Sequence, residues 1–188
     1  MLLRHLPNLV TILRMLLVVP LCWLIDKGQY EGALVIAAAA GFSDAVDGFL
    51  AKHYGWQTWL GGILDPIADK LLLMAAFLWL AFAGDVPQWL AALVIGRDLV
   101  IVGGAIAYYG LIGRFDASPT LLSKVTTVVQ IVFVLGELLR LSQLVAVSDS
   151  ARAAAMAITA LLTLASGVHY VLVWSMRAWR SARERRSV

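Results

Sequence analysis

Apolar residues run along this chain in six long blocks, separated by short clusters of charged and turn-forming residues. The blocks cover about residues 8–25, 30–51, 58–83, 87–110, 119–140 and 151–175. The breaks carry Asp26, Lys27 and Gly28, then Lys52 to Gly55, then Gly84 and Asp85, then Arg114 to Pro119, and last Ser148 to Arg152. A bilayer-crossing helix needs roughly 20 apolar residues, and the blocks have about that length. In lipid every backbone polar group has to be bonded within the protein, so such blocks predict helices. No break is long enough to be a linker to a second domain, and no low-complexity tract is present. The predicted fold is all-α: one polytopic membrane domain over residues 1–188, with six transmembrane helices and a basic tail over 176–188.

Composition strengthens that picture. Of 188 residues, 61% are hydrophobic and 14% charged, with a mean hydropathy of +0.85. Soluble domains are nearer half apolar and about a quarter charged. Basic residues then orient the helices. Arg4, His5, Lys52, His53, Arg114 and the run Arg177, Arg180, Arg183, Arg185 and Arg186 fall on one side. Lys27, Arg140 and Arg152 fall on the other, among Asp26, Glu31, Asp85 and Asp149. The excess of positive charge on cytoplasmic loops places both termini in the cytoplasm. The net charge is +3, and the arginine-rich tail points to anionic lipid rather than nucleic acid. Cys22 has no second cysteine to pair with, so it says nothing about redox compartment. The first residues lack a lysine-rich start and a small-residue cleavage site, so the first block reads as a retained helix. A chain of this kind without an evident targeting segment fits a bacterial inner membrane.

Charged groups inside the blocks change the reading from architecture to chemistry, because ionisable residues in a membrane helix are costly and mark function. Asp44 and Asp47 are three residues apart in the second block, and Asp65 and Asp69 four apart in the third. Either spacing puts both carboxylates of a pair on one helix face. The intervening break is short, so the two helices are expected to be antiparallel neighbours whose faces meet. Carboxylates gathered without counter-charge repel one another. A divalent cation resolves that conflict, and all-oxygen ligation suits Mg²⁺, Mn²⁺ or Ca²⁺. Gly48, Ala51 and Gly61 sit at helical spacing from these acids and leave room for a ligand against the backbone, although small residues also serve helix packing.

At about 1.5 Å per residue, Asp44 lies roughly 12 Å inside its block and Asp69 roughly 16 Å inside the next. Arg14, Arg97, Asp98 and Lys124 are expected in the cytoplasmic half or near the midplane, while the outer half has charge mainly at its rim. Acids for a metal and bases for an anion suit a phosphate-bearing substrate, with Arg14, Arg97 and Lys124 neutralising its oxygens. The reaction class implied is metal-assisted phosphoryl or phosphatidyl transfer, with one carboxylate taking a proton from the attacking hydroxyl. A transporter is the main rival. Its path would need polar groups on both sides of the midplane, and neither an inverted repeat nor a pair of broken helices is visible. The charged pairs Arg97–Asp98 and Glu137–Arg140 also have a plainer reading as structural ion pairs, as His169 has as an ordinary helix residue.

Asp44, Asp47, Gly48, Ala51, Lys52, Gly61, Asp65 and Asp69 resemble the D-x2-D-G-x2-A-R-x8-G-x3-D-x3-D signature of the CDP-alcohol phosphatidyltransferase family. Every spacing matches, and Lys52 stands where that family usually has arginine, keeping the charge but losing the planar fork. The six-block architecture is similar too. The resemblance implies transfer from CDP-diacylglycerol to an alcohol with release of CMP, with Mg²⁺ or Mn²⁺ as cofactor, at a cytoplasmic active site in a homodimer. It implies that Asp44, Asp47 and Asp65 hold the metal, and that Asp69 is general base and additional ligand. It also implies that Gly48 and Ala51 border the cytidine, with Asp47, Lys52 and Gly61 lining the same nucleotide and diphosphate site. Asn8, Thr11 and Arg14 look like the family's first-helix pattern near the diphosphate. Arg97-Asp98 and the stretch from Pro119 and Thr120 through Ser123, Lys124 and Thr127 to Gln130 look like eukaryotic-type cardiolipin synthases of that family. Glycerol-3-phosphate transferases tend to show Arg-Glu and Gly-Lys at the comparable places. This likeness points to phosphatidylglycerol as acceptor, with glycerol-3-phosphate as the alternative, and to Arg97 and Lys124 as acceptor-binding residues.

Overall fold

The structure, a computed structural model, describes the backbone of residues 6–54, 59–111 and 120–186, and the side chains of residues 11–43, 67–104 and 120–176. It is all-helical. The described residues form α1 (Leu6–Asp26), α2 (Tyr30–Tyr54), α3 (Trp59–Phe82), α4 (Gln88–Leu111), α5 (Leu121–Leu141) and α6 (Asp149–Arg186), with no strand among them. Each helix begins within two residues of a block start read from the sequence: 8, 30, 58, 87, 119 and 151. Leu121–Leu141 and Asp149–Met176 are long and apolar enough, by length and composition, to cross a membrane.

The end of α6 departs from the expected boundary. The last apolar block stops near residue 175, yet the helix continues through the basic segment for 38 residues in all. At about 1.5 Å per residue that is roughly 57 Å, well beyond a hydrocarbon core of about 30 Å. Helical backbone needs no apolar side chains, and the Ala- and Arg-rich sequence of this segment has high intrinsic helix propensity.

The helices fall into two packing units, residues 1–88 with 131–148, and residues 89–130 with 149–188. In the first, α1 packs against both α2 and α3. Its buried face runs through Thr11, Arg14, Leu21 and Ile25, steps that keep to one side of a 3.6-residue helix. On α2 the buried stripe is Ala33, Ala37 and Ala40, small side chains that allow close approach of a neighbouring backbone. On α3 it is Leu73, Ala76, Phe77 and Leu80. Phe77 stacks on Phe133 of α5 with ring centroids 5.8 Å apart.

Three helix ends in this unit close on a left-handed residue. Gly28 (φ 67°) follows α1 and Gly84 (φ 83°) follows α3. Gln29 N–H then bonds Leu24 O at 2.8 Å, and Asp85 N–H bonds Leu80 O at 2.9 Å, satisfying carbonyls that the helix leaves unpaired. After α5 the same conformation is taken by Gln143 (φ 59°), a residue with a Cβ. Tyr30 at the start of α2 donates its hydroxyl to Asp85 Oδ2 at 2.7 Å, tying α2 to the turn after α3. Glu137 and Arg140 form the expected local pair on α5, 2.9 Å apart.

Candidate active site

Arg14 lies midway along α1, on its buried face. From there its Nη1 donates to Asp69 Oδ1 on α3 at 2.5 Å, joining residues 55 positions apart. The Arg14 side chain is 3% exposed and the Asp69 side chain 40% exposed. A buried cation is thus paired with a carboxylate that still reaches an open surface. Such charge-assisted bonds are the short, strong class, and they compensate for placing arginine in an apolar helix. Thr11, one turn before Arg14, is also buried. Two residues expected at one site, Arg14 and Asp69, are therefore in contact, each on a helix of the first packing unit.

For the remaining acids the backbone is described and the side chains lie outside the described residues. Positions 44 and 47 fall within continuous helix α2, and 65 and 69 within continuous helix α3, so each pair spans about one turn. The side chains of Asn8, Asp44, Asp47, Gly48, Ala51, Lys52, Gly61 and Asp65 belong to this group. Among the described residues no three metal-ligating side chains cluster.

In the second unit, Arg97 of α4 is enclosed by hydrogen bonds. Its Nη1 donates to Asp98 Oδ1 at 2.6 Å, its Nη2 to Ser123 Oγ at 2.7 Å and to Ser166 Oγ at 2.6 Å, and its Nε to Ser166 Oγ at 3.3 Å. One guanidinium thus links α4, α5 and α6, and the ion pair with Asp98 is almost fully buried. Further along the same two helices, Thr126 Oγ1 donates to Leu122 O at 2.8 Å and Leu162 O at 3.3 Å. Gln130 Nε2 donates to Thr163 Oγ1 at 3.0 Å. The start of α5 is capped by Thr120, whose Oγ1 accepts from Ser123 N–H at 3.2 Å, while Thr120 N–H bonds the Tyr170 hydroxyl at 3.3 Å.

This arrangement separates the two residues expected to bind the acceptor. Arg97 is committed to its neighbours, whereas Lys124 is exposed, with its N–H bonded to Thr120 O at 3.1 Å in the first turn of α5. Ser123 and Gln130 of the diagnostic stretch lie on the α5 face turned to α4 and α6, where their polarity serves helix packing. Ser166 and Thr163 were not among the residues expected from sequence. Their signal is the series Thr159, Thr163, Ser166 and Tyr170 along an otherwise apolar helix, all at one-turn spacing. His169 makes an edge-on ring contact with Tyr170, centroids 6.3 Å apart. An apolar groove of about 400 Å³ runs beside Arg97, between Ala92, Gly96 and Val100 of α4 and Leu164, Gly167 and Val171 of α6.

Residues 4–176 match the sequence pattern of the CDP-alcohol phosphatidyltransferase family. A probable phosphatidylglycerophosphate synthase of Mycobacterium tuberculosis is 35% identical over 173 residues, 89% of this chain and 80% of that protein. The chloroplastic CDP-diacylglycerol–glycerol-3-phosphate 3-phosphatidyltransferase 1 of Oryza sativa subsp. japonica is 34% identical over 153 residues, 72% of this chain and 46% of that protein. A probable CMP-forming cardiolipin synthase of Drosophila melanogaster is 35% identical over 141 residues, 66% of this chain and 44% of that protein.

Proposed function

This chain belongs to the CDP-alcohol phosphatidyltransferase family and is a transferase of phospholipid biosynthesis, and on that premise we propose that it moves a phosphatidyl group from CDP-diacylglycerol to phosphatidylglycerol, giving cardiolipin and CMP. The observation that carries the placement of the chemistry is the Arg14–Asp69 pair, on helices whose sequence holds the family's aspartates. The acceptor assignment is supported by Arg97-Asp98 and by the stretch from Pro119 to Gln130. A second reading, glycerol-3-phosphate as acceptor, is favoured by the likeness to the mycobacterial protein, which covers more of both chains.

Asp44, Asp47 and Asp65, joined by Asp69, would hold a divalent cation, Mg²⁺ or Mn²⁺. Their fit rests on the donor set: oxygen-bearing residues at sequence positions about one turn apart within two continuous helices. On α2 the buried alanines 33, 37 and 40 advance by four and then three residues, and positions 44, 47 and 51 continue that rhythm. When bound, such a cation draws charge from the diphosphate and steadies the departing oxygen of CMP. Asn8, Thr11, Lys52, Gly48, Ala51 and Gly61 would line the nucleotide and diphosphate.

Asp69 takes the proton from the acceptor hydroxyl. That oxygen forms a bond to the phosphorus carrying the diacylglycerol, and the anhydride bond to CMP breaks, CMP leaving with the electron pair. Arg14 holds Asp69 Oδ1, and the carboxylate, 40% exposed, would reach the acceptor hydroxyl. Lys124, exposed, would meet the acceptor's phosphate. Arg97 would act on the acceptor through Ser123, the residue before Lys124. The protein would span a bacterial inner membrane six times as a homodimer, termini and site on the cytoplasmic side.

The deciding experiment supplies purified enzyme with CDP-diacylglycerol and either phosphatidylglycerol or glycerol-3-phosphate, and identifies the lipid product by mass spectrometry. Cardiolipin from the first supports the proposal. Phosphatidylglycerophosphate from the second, with no cardiolipin, replaces it by the alternative, and no product from either acceptor overturns both.

A further inference from the structure

The sequence places Arg14 beside the diphosphate, yet its guanidinium is turned into the protein and bonded to Asp69. A residue whose task was confined to neutralising a phosphate would present its donors to the ligand. Here the whole Arg14 side chain is 3% exposed, while that of its partner is 40% exposed. The partner is also the acid assigned to the proton. A carboxylate can rotate about its terminal torsion, which is broad rather than sharply staggered. A planar guanidinium donating to Oδ1 restrains that rotation and fixes which direction Oδ2 faces. Arg14 is itself held on a helix that packs against both α2 and α3.

We propose that Arg14 is a positioning residue for the transfer: it orients the Asp69 carboxylate so that its second oxygen meets the acceptor hydroxyl. The inference rests on the reading of Asp69 as the proton acceptor. It separates Arg14 from a diphosphate ligand by the step each would affect. A donor ligand sets how tightly CDP-diacylglycerol binds, whereas an orienting group sets how fast the bound pair reacts. It also explains arginine over lysine at a site where direction matters more than charge.

The test compares Arg14→Gln and Arg14→Lys with the full-length wild-type enzyme in micelles, measuring CMP release at varied CDP-diacylglycerol with each acceptor. Mn²⁺ binding to the same proteins is read by electron paramagnetic resonance. Misplacing a reacting group by about 1 Å costs on the order of 10²-fold. The expected result is a fall in kcat of that order for Arg14→Gln, with donor KM and Mn²⁺ affinity kept within about threefold. Arg14→Lys keeps the charge and recovers part of kcat. A raised donor KM at unchanged kcat would return Arg14 to the diphosphate and overturn the proposal, as would loss of Mn²⁺ binding. If Arg14→Gln elutes as an aggregate, the same split in Arg14→Lys decides. A wild-type enzyme inactive with both acceptors sinks the reading of the site itself, a different result from a wrong split in an active one.

Discussion

Gln130 of α5 and Thr163 of α6 meet in a fully buried hydrogen bond, Nε2 to Oγ1 at 3.0 Å. The Thr163 hydroxyl spends its own proton on Thr159 O at 2.7 Å, so it accepts from Gln130, and this fixes which end of the amide faces it. Gln130 Oε1 is then buried without a hydrogen-bond partner among the described residues.

That leftover carbonyl gives the pair an unusual mutational signature. Thr163→Val removes the acceptor and leaves a second amide atom unsatisfied, at a cost of about 1 kcal/mol. Adding Gln130→Leu removes both orphaned atoms, so the double variant should return to within about 0.5 kcal/mol of wild type. Denaturant unfolding of the purified protein in mixed micelles measures both.

The clasp around Arg97 should be far less forgiving. Arg97→Leu removes the buried guanidinium from the Asp98 carboxylate and from the hydroxyls of Ser123 and Ser166. Removing one partner of a buried ion pair costs about 3–5 kcal/mol. The same unfolding assay should show a loss of that size, with Arg97→Lys intermediate because one ammonium cannot reach all three partners as a planar fork does.

Gln143 offers a gain. Its φ of 59° is a conformation that costs a residue with a Cβ roughly 1 kcal/mol and costs glycine little. Gln143→Gly should raise stability by somewhat less than about 1 kcal/mol, because glycine also loosens the unfolded chain. Gly84→Ala, at φ 83°, should lower it by a similar amount.

At the proposed reaction centre, Asp69→Asn keeps an oxygen for Arg14 and loses the proton acceptor. Turnover should fall by at least 10²-fold, in keeping with the usual worth of general-base catalysis, while elution and thermal unfolding stay close to wild type. EDTA should stop CMP release from the wild-type enzyme, and Mg²⁺ or Mn²⁺ should restore it. Full activity of either the variant or the chelated enzyme would count against the roles given to these carboxylates.

Helix positions were legible because charged or glycine-containing breaks interrupt long apolar runs, and a break such as Asp26-Lys27-Gly28 is also the structural stop of α1. The end of α6 was not legible from hydropathy, since the arginines that end the apolar run do not end the helix. Arg14, Asp69, Arg97 and Lys124 stood out as charges in apolar surroundings, but charge alone does not name a partner. Asp69 is 55 residues from Arg14, and Ser166 is 69 from Arg97, so both contacts depend on which helices pack together. Ser123 and Gln130 looked like recognition letters for a substrate. Their hydrogen bonds to Arg97 and Thr163 give them a packing task that sequence spacing could not separate from binding.

The span of the Arg14–Asp69 pair also sets an order of events in the making of the protein. In a chain that enters the membrane as it is synthesised, Arg14 leaves the ribosome 55 residues ahead of its counter-charge. At roughly 5–20 residues per second that is an interval of about 3–11 s. Through that interval Arg14 is made but the Asp69 carboxylate is not. The Arg14–Asp69 contact between α1 and α3 therefore closes only once α3 has been made, and the packing of these two helices is a late event relative to the making of α1.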